Sequence, residues 1–237
     1  MKKIIIIGAG AMGSAFAVPC LENQNDVTLV GTHLEDDLIK KIKLKNNFHP
    51  SLNLELPSKL KVEKFKKLSS ILKNEVDIIV AGVSSIGIEW FVDQISKNYK
   101  KNVPIILLTK GLAIVENELT TLSDKIKKLL EEKGHNEVNV SAIKGPCLAA
   151  GLANKMRTGT VIANRDIKET ELLKKIISTD YYSTEISDDL TGVELAGAIK
   201  NIYSMLIGAS EGLSNSKAPK EIQSKYYLNT SASLIHR

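Results

Sequence analysis

Between Glu194 and Glu211 the chain reads LAGAIKNIYSMLIGAS, sixteen residues that carry a single charge, Lys200. A lysine is seldom fully buried unless something pairs with it or uses it. Burial disfavours the ammonium and lowers its pKa toward the range where a lysine exchanges protons near neutrality. The run is long enough for several helical turns, and Asn201, a neutral hydrogen-bonding group, follows directly. On this segment alone the alternative stands that Lys200 snorkels from a helix edge.

A second chemical signal lies at the amino terminus. Residues 3–7, KIIII, form a short β-branched run suited to a strand buried on both faces. They lead into Gly8-Ala9-Gly10-Ala11-Met12-Gly13 and then a small-residue helical stretch through Leu21. Gly8 permits the tight turn, Gly10 lets the backbone approach a pyrophosphate, and Gly13 lets the helix close on the strand. The free N–H groups of Ala11 and Met12 would open the helix toward phosphate. A lone GxGxxG is weak, but here a strand precedes it, a helix follows, and a second strand comes at 26–31. The reading is a dinucleotide site. Past the second strand stand Gly31-Thr32-His33, with no carboxylate at the usual ribose position and no arginine for a 2′-phosphate. Thr32 and His33 are candidate contacts, although His33 also reads as an exposed loop residue. Glu35, Asp36 and Asp37 come slightly late and read as caps of the next helix. The choice between NAD and NADP stays open.

The elements that must position these groups alternate. Strand signals recur at 26–31, 76–82, 103–109, 138–143 and 160–164, with another near 181–186. Helical patterns fall between them at 34–45, 87–99, 117–133, 147–156 and 167–178. This predicts an α/β, Rossmann-like doubly wound parallel sheet. From about residue 189 the alternation stops and the pattern is helical, which predicts a nucleotide domain over 1–188 and the start of a helical substrate domain over 189–237. Ligands of open parallel sheets collect at the carboxyl ends of the strands. Those ends bring forward Ser84, Lys110 beside Gly111, and Lys144-Gly145-Pro146-Cys147, with Ala149 small enough to let a cofactor lie close. Lys144 reads as a surface turn residue.

Composition narrows the classes. The net charge of +5 comes almost wholly from lysine, with arginine only at 157, 165 and 237. The lysine runs at 40–45, 59–67 and 125–133 read as solvated helix faces, and a nucleic-acid surface would bring more arginine and interleaved aromatics. Two cysteines, Cys20 and Cys147, and four scattered histidines give neither a disulfide framework nor metal-ligand spacing. Cys20 reads as core. The first twenty residues mimic a signal peptide, but three glycines in nucleotide-binding spacing break the apolar stretch. No apolar run is long enough to span a bilayer, and the expected location is the cytoplasm.

Taken together, GAGAMGSA (8–15), LLTKGL (107–112), KGPCLA (144–149) and GVELAGAIKNIYSMLIGASEGL (192–213) resemble the NAD(P)-dependent glycerol-3-phosphate dehydrogenase family. The resemblance implies reversible hydride transfer between NAD(P)H and dihydroxyacetone phosphate or sn-glycerol 3-phosphate, feeding glycerophospholipid synthesis. It implies that Lys200 transfers the proton, that Asn201 orients the substrate oxygen, and that Lys110 adds a second positive charge near cofactor and substrate. Gly145, Cys147 and Ala149 match positions that touch substrate or cofactor; a small polar residue is usual where Cys147 and Lys144 stand. The family continues through a G-x-G-D-L loop and an Arg-Asn pair that holds the substrate phosphate, and neither occurs in these 237 residues. Residues 229–237 resemble the helix just upstream. The expectation is therefore a chain that binds nucleotide but turns over poorly alone, completed by a homodimer partner or second chain. The alternative is a non-catalytic or split-chain nucleotide-binding relative.

Overall fold

The structure, a computed structural model, describes residues 1–214. The strands are β1 (Lys3–Ile7), β2 (Asp26–Val30), β3 (Phe48–His49), β4 (Leu54–Glu55), β5 (Lys61–Glu63), β6 (Ile78–Ala81), β7 (Ile105–Leu107), β8 (Leu112–Val115), β9 (Glu118–Thr121), β10 (Val140–Lys144), β11 (Thr158–Ala163) and β12 (Tyr182–Ser187). The α-helices are α1 (Ala11–Glu22), α2 (Asp36–Leu44), α3 (Leu68–Lys73), α4 (Ile88–Ser96), α5 (Leu122–Glu132), α6 (Ala149–Ala153), α7 (Ile167–Ile177) and α8 (Leu190–Ser214).

The isoleucines of β1 are buried on both faces, as an unbroken β-branched run dictates. Alternation sends Ile4 and Ile6 into the cluster formed with α1, α2 and α7, and Ile5 and Ile7 into the cluster formed with α3, α4 and α5. The main sheet runs β5-β2-β1-β6-β7-β10-β11-β12. Its first six strands are parallel. That places the reversal of winding between β1 and β6, the crevice where such sheets take ligands.

Three features depart from the expected alternation. β11 is antiparallel to β10, so the sheet is mixed rather than wholly parallel. Gly145 explains the return: its φ is +154°, and a Cβ there would lie 2.9 Å from the Gly159 oxygen and the Thr160 Cα. Only glycine lets β11 come back so tightly against the end of β10. Next, residues 118–121 are strand, not the start of a helix, because Glu116 and Asn117 both have positive φ and close a two-residue hairpin between β8 and β9. Finally, the lysine run 59–67 holds no long helix. Val62 turns inward between exposed Lys61 and half-buried Glu63, making β5 the edge strand beside β2.

α8 begins against the sheet, where Leu190 and Val193 pack on Ala142, Val161 and Ala163. Farther along, Ile199, Ile202, Tyr203, Met205 and Leu206 are exposed. Within the run, Ala196 and Gly197 are buried, so only its later turns present an apolar face to solvent. The reading of residues 229–237 lies outside them. Among the described residues, no helix is long and apolar enough to cross a membrane, and no three metal-ligating side chains gather.

Candidate active site

The glycine turn is held by contact on one side and left open on the other. Gly8 has φ +111°, and a Cβ there would lie 2.6 Å from the Gly82 oxygen at the end of β6. A Cβ on Gly13 would lie 2.2 Å from the Gly8 oxygen, so α1 sits directly on the turn. Gly10 differs: a Cβ would meet nothing nearer than Glu35 Oε1 at 3.9 Å. Gly10 is also the N-cap of α1 and supplies no side-chain acceptor, so no side chain caps the first-turn N–H groups. A turn of this form, made by Gly8, Gly10, Ala11, Met12 and Gly13, has the open N–H groups that could hold an anionic pyrophosphate.

The second loop of the crevice closes onto the first through Glu35. Its Oε2 accepts from the Ala9 N–H at 3.0 Å and the Thr32 N–H at 2.7 Å. Glu35 occupies the N-cap position of α2, yet its side chain makes no cap bond to that helix. The residue read as a late helix cap instead ties the ends of β1 and β2 together. His33 is exposed, with its ring centroid 5.0 Å from that of Trp90 and 6.2 Å from that of Phe65. Ser84 is exposed just past β6, and the adjoining Ser85 lies against Gly111.

Three lysines converge where β7, β10 and α8 meet. Lys110, two residues beyond Leu108, is half-buried, and burial lowers its pKa, with the nearby Lys200 charge pushing the same way. Lys200 is half-buried as well. Cys147 faces this pair: burial raises its thiol pKa, while Lys110 and Lys200 oppose that shift. A small pocket joins Met12 and Phe16 of α1 to Lys110, Gly145 and Cys147. Ala149 packs on the same cluster as Ala11 and Met12. The side chain of Asn201 lies outside the described residues.

Lys144 is the correction. It is not a surface turn residue but is 1% exposed, in the last position of β10. Its ammonium donates to the Thr109 carbonyl at 2.5 Å, immediately before Lys110, and more weakly to the Leu107 carbonyl at 3.4 Å. Its stem lies beneath Gly197 of α8, where a Cβ would come within 3.1 Å. Burial pulls its pKa down to about 8; the Glu194 carboxylate opposes that shift and the Lys110 charge adds to it. Glu194 is itself fully buried, and burial raises its pKa against the pull of Lys144. Both shifts favour the neutral forms. The Oε2 of Glu194 accepts from the Ser123 hydroxyl and from the Ser123 N–H, whereas its Oε1 has no hydrogen-bond partner. Glu194 escaped the sequence reading, and Glu35 was read only as a cap of the next helix. The one available signal was that each carboxylate flanks a segment already singled out.

Fold and site together define a Rossmann-type protein with an open glycine turn facing a cluster of lysines. The sequence matches the family described as NAD-dependent glycerol-3-phosphate dehydrogenase N-terminus over residues 3–170, and the chain belongs to that family. It is 31% identical over 231 residues to an NADP(+)-dependent glycerol-3-phosphate dehydrogenase of Archaeoglobus fulgidus, covering 97% of this chain and 66% of the relative. A glycerol-3-phosphate dehydrogenase [NAD(P)+] of Wigglesworthia glossinidia brevipalpis is 32% identical over 218 residues, covering 89% and 61%. The solved structure of the Plasmodium falciparum glycerol-3-phosphate dehydrogenase shares the fold with a TM-score of 0.78 at 22% identity, covering 99% of this chain and 65% of that one. The chain thus spans a little under two thirds of the length of these relatives.

Proposed function

We propose that this chain carries the nucleotide site and the proton-transferring lysine of an NAD(P)-dependent glycerol-3-phosphate dehydrogenase. The reaction is hydride transfer between NAD(P)H and C2 of dihydroxyacetone phosphate, with a proton to the carbonyl oxygen, giving sn-glycerol 3-phosphate; it runs in reverse. The observation that carries this reading is the convergence of Lys110 and Lys200 beside Cys147 in reach of the glycine-turn helix. When bound, the nicotinamide supplies or accepts the hydride. Gly8, Gly10, Ala11, Met12 and Gly13 hold the pyrophosphate, and Thr32, His33, Ser84, Lys110 and Ala149 flank the nucleotide.

Lys200 polarises the ketone as an ammonium and protonates the forming alkoxide; as an amine it takes the hydroxyl proton in oxidation. Lys110 adds positive charge aimed at the developing oxyanion. Two adjacent ammonium groups repel, and an anion between them relieves that repulsion, which suits a phosphorylated substrate. Gly145 and Cys147 line the substrate side, and Asn201 orients the oxygen.

Residues 189–237 begin a helical substrate domain on this reading, and the exposed apolar face of α8 is covered by a homodimer partner or a second chain. The protein works in the cytoplasm and its product feeds glycerophospholipid synthesis. The test is NADH oxidation with dihydroxyacetone phosphate by the purified chain, alone and with the C-terminal third of a relative supplied. Turnover in either sample supports the enzyme. Nucleotide binding with no turnover in both favours a binding module.

A further inference from the structure

We infer that Glu35 makes this site select a dinucleotide with a free 2′-hydroxyl over one carrying a 2′-phosphate, an inference that rests on the nucleotide reading above. The Glu35 carboxylate is fixed by two backbone donors, Ala9 from the glycine turn at 3.0 Å and Thr32 from the end of β2 at 2.7 Å. Both bonds go to Oε2, while Oε1 is the atom nearest to where a Cβ on Gly10 would stand, at 3.9 Å. The carboxylate therefore stands between the glycine turn and the end of β2. Doubly wound sheets hold the adenosine ribose in that interval, and the group found there decides whether a hydroxyl or a phosphate is accepted.

The surroundings reinforce the sign. Asp36 and Asp37 fill the first turn of α2, so the positive end of that helix already faces its own carboxylates. Arginine, the side chain best shaped to grip a phosphate, occurs nowhere before Arg157. Of the nearby lysines, Lys40 pairs with Asp37 and Lys43 with Glu63, while Lys41 and Lys64 act on Asp37 through their charge. His33 is engaged with Trp90 and Phe65. A second dianionic group would thus meet a fixed carboxylate among cations that already face the carboxylates of Asp37 and Glu63. Family membership does not dictate this outcome, since a relative in Archaeoglobus fulgidus is NADP(+)-dependent. The selectivity has to come from this chain's own loop.

The test is equilibrium binding of NADH and NADPH to the full chain, read by energy transfer from the single tryptophan, Trp90, and checked by calorimetry. The expected result is NADH binding tighter by about tenfold or more at low salt, with the ratio shrinking as ionic strength rises. Glu35→Gln keeps an acceptor oxygen for both backbone donors but removes the charge. It should bring the ratio toward one, chiefly by tightening NADPH, while the circular dichroism spectrum stays unchanged. Equal affinities in the wild type, or a ratio that neither salt nor Glu35→Gln moves, overturns the role of Glu35 and leaves the nucleotide site standing. Failure of both nucleotides to bind overturns the inference and the nucleotide reading together.

Discussion

Placing Lys144 between β10 and α8 strips water from its ammonium, and the carbonyls of Thr109 and Leu107 replace only part of that solvation. Its pKa falls from 10.5 to about 8 in the fold. Below that lower value the lysine is protonated in both folded and unfolded chains, and the fold bears the full penalty. Between the two values the unfolded chain binds the proton and the folded chain does not, so stability rises with pH across the window. A shift of this size corresponds to about 3 kcal/mol. Lys144→Met removes the titration. Urea midpoints across the window should therefore show wild type gaining on the variant by up to that amount as pH rises; a difference independent of pH contradicts this placement. At Lys200 the expectation concerns rate, not stability. Lys200→Ala should lower NAD(P)H oxidation with dihydroxyacetone phosphate by about 10²–10⁴-fold and leave nucleotide affinity intact. Undiminished turnover would remove Lys200 from proton transfer.

The strand–turn–helix at the amino terminus is the element on which the site is built, and its glycines are not equivalent. Gly13→Ala forces a methyl against the Gly8 oxygen, where 2.2 Å is available. It should cost about 1–3 kcal/mol or more, as overpacking does, visible as a lowered denaturation midpoint; an unchanged midpoint would deny the close packing of α1 on the turn. This unit was legible in sequence because every signal in it is local: the isoleucine run, the glycine spacing and the helix that follows. Other elements were hidden for physical reasons. β5 is three residues long and lies among lysines, so it offers only one buried position, Val62, to betray it. The β8–β9 turn is made by Glu116 and Asn117 rather than by glycine. The direction of β11 follows from how Gly145 meets Gly159 and Thr160. Lys144 is buried because Gly197 in α8 lies over its stem, a contact between residues far apart in the chain. Likewise, nothing near Glu35 in sequence announces that its carboxylate reaches back to Ala9.

At the scale of the molecule, one helix joins the site to an uncovered surface. α8 is anchored by Leu190 and Val193, presents Lys200 toward Lys110, and then exposes Ile202, Met205 and Leu206. A contiguous apolar face of this kind binds something. Sedimentation of the purified chain should reveal self-association that weakens in an Ile202→Lys, Met205→Lys double variant; a clean monomer at high concentration argues against a homodimer through this face. The remaining architecture serves one arrangement, in which the reversal between β1 and β6 aims the glycine turn at the lysines beyond β7 and β10. Gly10 offers the most direct test of that arrangement. A Cβ there meets no neighbour closer than 3.9 Å, and its φ of −63° suits any residue. Gly10→Val should therefore fold with a loss no greater than about 1 kcal/mol from the N-cap, yet fill the space proposed for pyrophosphate. Titration of NADH into both proteins measures this: saturable binding by the wild type and none by the folded variant is the predicted result, and equal binding by the two would contradict it.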